Sequence, residues 1–131
     1  MLSFSVIICT YNPVPEIFGK CLNAILKASL LKNPDEVIII DNNSTAPLAD
    51  ESYIGAFIKE CKTSKVVVEQ KQGLTNARLR GIKESSSHLL IFVDDDNIVD
   101  VVDDQLCLHV QMCAVSIKTD GQGHVAARIV H

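Results

Sequence analysis

The chain has 131 residues, enough for one domain with a real core, and 47% of them are apolar, so it is globular material and not a disordered tail. Its formal net charge of −4 comes from mixed acids and bases with no basic block, which argues against nucleic acid as a partner. No apolar run approaches the length of a membrane span, and the N-terminus lacks the basic-then-apolar pattern of a signal peptide. Cys9, Cys21, Cys61, Cys107 and Cys113 form no CxxC pair, so they suit free thiols in a reducing, cytoplasmic setting better than a disulfide framework or a zinc site.

Phe4 to Cys9 reads as a first strand that becomes wholly apolar, as a central strand does. Pro13 and Pro15 then suit entry to a helix. From Glu16 to about Leu30 the residues Ile17, Phe18, Cys21, Leu22, Ile25, Leu26 and Leu30 form a helical stripe. Val37 to Ile40 is a second, doubly buried strand, followed by the polar loop Asp41-Asn42-Asn43-Ser44-Thr45. A second helix is predicted over about Leu48 to Cys61, weakened by Gly55. Val66 to Val68 is a short third strand, Gly73 supplies a turn or a close backbone approach, and a third helix runs from Leu74 to Glu84. Leu89 to Val93 is the fourth strand, apolar throughout, and Asp94-Asp95-Asp96-Asn97 follows it.

This β-α-β-α-β-α-β order implies a parallel sheet with crossover helices, so the fold class is α/β. Right-handed crossovers put the loops after all four strands on one rim, where open α/β sheets bind ligands. That rim gathers Thr10-Tyr11-Asn12, Asp41-Asn42-Asn43, Gln70-Lys71-Gln72-Gly73 and the acidic cluster. Three adjacent carboxylates repel one another unless water or a cation intervenes. Mg²⁺ or Mn²⁺ would relieve that repulsion by taking one or two carboxylates plus substrate phosphates. The plainer reading of the same cluster is a solvated acidic turn.

Four stretches in this order resemble the nucleotide-sugar-binding half of GT-A-fold glycosyltransferases of the family 2 type. They are Val6-Ile7-Ile8-Cys9-Thr10-Tyr11-Asn12, Glu36 to Thr45, Gly73-Leu74-Thr75-Asn76-Ala77-Arg78 with Gly81-Ile82, and Phe92-Val93-Asp94-Asp95-Asp96-Asn97. The resemblance implies a Rossmann-like, mainly parallel sheet with flanking helices, an NDP-sugar donor (a UDP-sugar foremost) and a divalent metal. It casts Asp94-Asp95-Asp96 as the metal-binding DxD-type motif, with Asp96 the main ligand and Asp94 or Asp95 reaching the metal or the ribose. It casts Asp41 as the acceptor of a hydrogen bond from the base, Thr10 and Tyr11 as the lining of the base pocket, Arg78 as a diphosphate contact and Asn76 as a shaper of that pocket. The acceptor would be a sugar or a lipid-linked group, and a peripheral place at a membrane surface fits as well. The resemblance covers about residues 3–100.

On this reading 1–100 is a nucleotide-sugar-binding half-domain and 101–131 a divergent tail, with the C-terminal half short or missing. Leu106, Leu108, Val110 and Met112 alternate as in a half-buried strand, Lys118 to Gly123 reads as a turn and Val125 to Val130 as another strand, so the tail is expected to be a hairpin. Asp103 and Asp104 read as surface acids, and no catalytic base is assigned. An exposed sheet edge and apolar surface would favour a homo-oligomer. Two functions therefore compete: a glycosyltransferase, and a non-catalytic nucleotide- and metal-binding domain without an acceptor site. A phospho-accepting signalling domain wants its acids after the first and third strands, whereas here they follow the second and fourth. A nucleotidyltransferase wants a Gly-rich basic loop where Thr10-Tyr11-Asn12-Pro13 stands.

Overall fold

The computed structural model describes residues 3–32, 34–96, 99–102, 105–108, 113–118 and 125–130, with side chains described for 3–29 and 34–96. In chain order the elements are β1 (Phe4–Thr10), α1 (Pro15–Lys32), β2 (Glu36–Asp41), α2 (Ser52–Glu60), β3 (Ser64–Val68), α3 (Leu74–Glu84), β4 (Leu89–Asp94), β5 (Val99–Val102), β6 (Gln105–Leu108), β7 (Cys113–Lys118) and β8 (Val125–Val130). The sheet runs β3-β2-β1-β4-β7-β8. Its first four strands are mutually parallel, as the alternation with helices requires, and β7 and β8 join antiparallel.

Because side chains alternate along a strand, each central strand feeds two cores. Val6, Ile8, Val37, Ile39, Ile91 and Val93 pack with Phe18, Cys21, Leu22 and Ile25 of α1 and with Ile54 and Phe57 of α2. Ile7, Ile38, Ile40, Leu90 and Phe92 face the other way, toward Ala77 and Ile82 of α3. Burial on both faces explains why these strands are unbroken runs of Ile, Leu and Val. Each fully buried side chain of this kind contributes about 1.5–3 kcal/mol. On the second face α3 lies very close to the sheet. A Cβ at Gly81 would come within 2.5 Å of Ile7 Cγ2, so glycine is what lets the helix approach.

Two boundaries differ from expectation. The predicted helix 48–61 is divided into a 3-10 turn at Leu48–Asp50 and α2, with Glu51 extended between them at φ −77° and ψ 132°. The cause is Asp41, whose Oδ2 accepts the Leu48 N–H at 3.0 Å and fixes the chain there before the α-helix starts. β3 begins at Ser64, two residues early, because Val37 of β2 pairs with Ser64. In the tail, β6 (Gln105–Leu108) pairs antiparallel with β5, and the rest of the expected strand, residues 109–112, lies outside those described. The strand beside β8 is instead β7, in which Ile117 pairs with Leu89 on one side and Ala126 on the other. The predicted turn at 118–123 lies almost wholly outside the described residues.

Candidate active site

The carboxyl ends of β1, β2, β3 and β4 share one rim, and the polar loops sit along it. The loops after β1 and β2 are tied to each other. Asn12 stands at φ +45° and Asn43 at φ +63°, a left-handed conformation that asparagine tolerates better than most residues. The Asn12 N–H donates to Ser44 Oγ at 2.9 Å, and the Thr45 N–H donates to Asn12 Oδ1 at 2.8 Å. Asp41 is 1% exposed, and its Oδ1 and Oδ2 accept the N–H groups of Ser44 and Leu48 at 2.9 and 3.0 Å. Each of its oxygens keeps a further lone pair for a ligand donor.

The acidic turn is divided by strand alternation. Asp94 ends β4 in register with Cys9 of β1, on the α3 side of the sheet. Asp95, one residue on, turns to the α1 side, where Thr10 Oγ1 donates to its Oδ2 at 2.7 Å. Asp96 is exposed. Thus three consecutive carboxylates are shared between two sides, which lowers their mutual repulsion. Burial nevertheless pushes the Asp94 carboxyl above its usual range; the Arg78 guanidinium opposes this, and Asp96 and Asp95 add to it. Burial likewise pushes the Cys9 thiol up to about 12, which keeps it protonated and inert beside Arg78.

Arg78 therefore stands near Asp94 on α3, without a hydrogen bond or ion pair to a described residue. Asn76 is partly buried and donates through Nδ2 to the Gln72 carbonyl at 3.0 Å, so it braces the β3–α3 loop. Tyr11 is 46% exposed. With Pro13, Val14, Ile17 and Phe18 it forms the apolar wall of a groove whose other side is Asp95 and Asp96. The described residues that the resemblance casts in the donor site thus lie on this rim, but on two sides of the sheet edge. Thr10, Tyr11 and Asp95 are grouped at the α1 side, and Arg78 and Asp94 at the α3 side.

Sequence reasoning missed Asn42 and the partners of Arg80. Asn42 is 5% exposed and holds the β3–α3 loop by three hydrogen bonds. Arg80, at the surface of α3, is clamped between Glu69 Oε2 at 3.1 Å and Glu84 Oε1 at 2.9 Å. The spacing Arg80–Glu84 carries an i, i+4 signal that could have been read; the contact with Glu69 depends on the fold.

The carboxylates suit a metal that shares its coordination with a phosphate. Asp94 and Asp96 have side chains without a hydrogen-bond partner among the described residues. Yet no group of three His, Cys, Asp or Glu among the described residues is placed to hold a metal alone. Mg²⁺ and Mn²⁺ are commonly bound in this way, by one or two carboxylates with the remaining positions filled by water and substrate oxygens.

The family model for glycosyl transferase family 2 matches residues 5–108. The chain belongs to glycosyl transferase family 2. This family 2 chain is 35% identical to glycosyltransferase AglE of Haloferax volcanii over 93 residues, which are 70% of this chain and 30% of AglE. It is 28% identical to the uncharacterized glycosyltransferase YwdF of Bacillus subtilis over 131 residues, covering 98% of this chain and 43% of YwdF. It therefore spans less than half the length of these relatives. Its fold superposes on GalNAc-T7, solved with UDP, GalNAc and Mn²⁺, with a TM-score of 0.64 at 23% identity over 76% of this chain and 19% of that one. The family 2 chain thus has the mainly parallel four-strand core and flanking helices of a GT-A glycosyltransferase. Among its described residues no helix is long and apolar enough to cross a membrane.

Proposed function

We propose that this chain is the donor-binding part of a glycosyltransferase that uses an NDP-sugar, foremost a UDP-sugar, with Mn²⁺ or Mg²⁺. The observation that carries the reading is the gathering on one rim of the Asp94 and Asp96 carboxylates and the Arg78 guanidinium, none of which has a hydrogen-bonded side-chain partner among the described residues. The base and ribose lie in the groove walled by Tyr11, with Thr10 positioning Asp95 for the ribose or the metal. Asp41 accepts an N–H of the base through a remaining lone pair, and Asn76 shapes the pocket through the loop it braces. Arg78 presents a planar guanidinium, whose paired donors match phosphate oxygens, to the diphosphate.

A divalent cation bound by Asp96 and Asp94 would supply Lewis-acid stabilisation of the leaving nucleoside diphosphate. Arg78 neutralises part of the same developing charge. The acceptor hydroxyl, on a sugar or a lipid-linked group, attacks the anomeric carbon as a general base takes its proton. We place this chemistry in the cytoplasm, where nucleotide-sugar binding and free thiols are compatible, and allow for a homo-oligomer or a peripheral membrane partner. A second reading is donor binding without transfer, since no catalytic base is assigned among the described residues.

Calorimetric titration of UDP and then GDP, with and without Mn²⁺, on wild type and Asp96→Ala tests the proposal. Metal-dependent binding that the substitution removes is expected. Failure of both nucleotides to bind overturns the donor-site reading. Release of sugar to an acceptor by the chain alone would select transfer over simple binding.

A further inference from the structure

We propose that Asn42 is the positioning residue of the diphosphate side of this site: it fixes the β3–α3 loop so that α3 presents Arg78 to the donor. The inference rests on the donor-site reading above and adds a residue to it. Asn42 follows the end of β2 by one position, so alternation sends it to the α3 side, opposite to Asp41. There its Nδ2 donates to the carbonyls of Glu69 at 3.1 Å and Lys71 at 2.9 Å, and its Oδ1 accepts the Gly73 N–H at 2.9 Å. Both amide hydrogens and one acceptor site are thus directed at a loop about thirty residues away.

That loop leads straight into α3. Gly73 is the helix N-cap, at φ +129°, and no side-chain hydrogen bond caps the helix from within. The conformation is one that glycine adopts readily, and Asn76 braces the loop from within through the Gln72 carbonyl. Asn42 holds it from outside. Five residues on from Gly73, Arg78 lies near Asp94. Farther along, Gly81 rests against Ile7 and fixes the depth of the helix on the sheet. The two ends of α3 are therefore fixed by different means: packing at Gly81, and a buried amide at Gly73. Loss of the amide frees the end nearest the acidic turn.

The test uses the full chain with Asn42→Ala and the near-isosteric Asn42→Leu, so that one variant remains if the other misfolds. Two readouts are taken: hydrogen exchange of individual amides without nucleotide, and affinity for UDP and for uridine with Mn²⁺. Exchange is expected to quicken at Gly73 and the first turn of α3 and to stay unchanged at Ile7 and Ile8 of β1. UDP affinity is expected to fall about tenfold or more, uridine affinity less than about twofold, and most of the UDP loss to vanish in an Arg78→Ala background. Equal loss for UDP and uridine, or full additivity with Arg78→Ala, overturns the positioning role. Unchanged exchange at Gly73 overturns the latch itself. If wild type binds neither ligand, the donor-site reading and the role in it fail together, and the exchange result still decides whether Asn42 holds the loop.

Discussion

The loops after β1 and β2 and the turn after β4 carry similar polar side chains and use them in opposite ways. Asp41, Asn42 and Asn12 direct their bonding capacity to backbone groups of the chain itself. Asp94, Asp96 and Arg78 have charged groups without a hydrogen-bonded partner among the described residues. A buried polar group that is fully bonded rigidifies its surroundings. A charge left unpaired at a rim is stabilised by whatever binds there. The first set thus builds the shape of the rim, and on the proposed reading the second supplies its affinity.

The comparison makes predictions that separate stability from binding. The largest effect is expected for Asp41→Ala, which orphans the Leu48 and Ser44 N–H groups; a loss of about 3 kcal/mol in urea unfolding is expected, since bonds to a charged group count for more than neutral ones. Asp96→Ala should do the reverse: urea unfolding moves little, while Mn²⁺-dependent UDP affinity falls by about a hundredfold, at the upper end of what losing support around a metal costs. If Asp96→Ala unfolds the chain instead, the division between the two sets is wrong. Arg78→Ala should weaken UDP by about tenfold with little change in stability, and Arg78→Lys should recover only part of it, because a point charge lacks the paired donors.

The smallest effect concerns the Arg80 clamp. Its hydrogen bond to Glu84 holds that carboxyl below its usual range. The folded pKa is thus lower than the unfolded one, so the contribution is fully present above the unfolded value and is lost as pH falls through the folded value. Arg80→Leu should therefore be slightly less stable than wild type at neutral pH, and the gap should close on acidification. A gap that widens in acid would contradict the assignment.

Much of this was legible in the sequence because it rests on short-range pattern. Runs such as Val37-Ile38-Ile39-Ile40 and Leu89-Leu90-Ile91-Phe92-Val93 can be satisfied only by strands covered on both faces, and their alternation with helices sets the parallel order and gathers the loops on one rim. The positions of Tyr11, Asp41, Arg78 and the acidic cluster on that rim followed from the same pattern. What did not follow depends on partners far apart in sequence. Asn42 reads as one more loop asparagine until β3 is placed beside β2. The clamp of Arg80 by Glu69 needs the same placement. The break before α2 was hidden because Leu48 to Cys61 is apolar at helical spacing, and only the Asp41 bond to Leu48 interrupts it.

The alternation at the end of β4 has a consequence for how this chain can vary. Asp94 lies on the side of Arg78 and Asp95 bonds to Thr10 on the other only because of a parity set by the strand. Removing or adding a single residue within Leu89–Asp94 would exchange the two partners and send each apolar side chain into the opposite core at once. Length changes in β4 should therefore come in pairs of residues or not at all. The joint between α3 and β4, at the far end of the strand, is where single insertions can accumulate without reaching the rim.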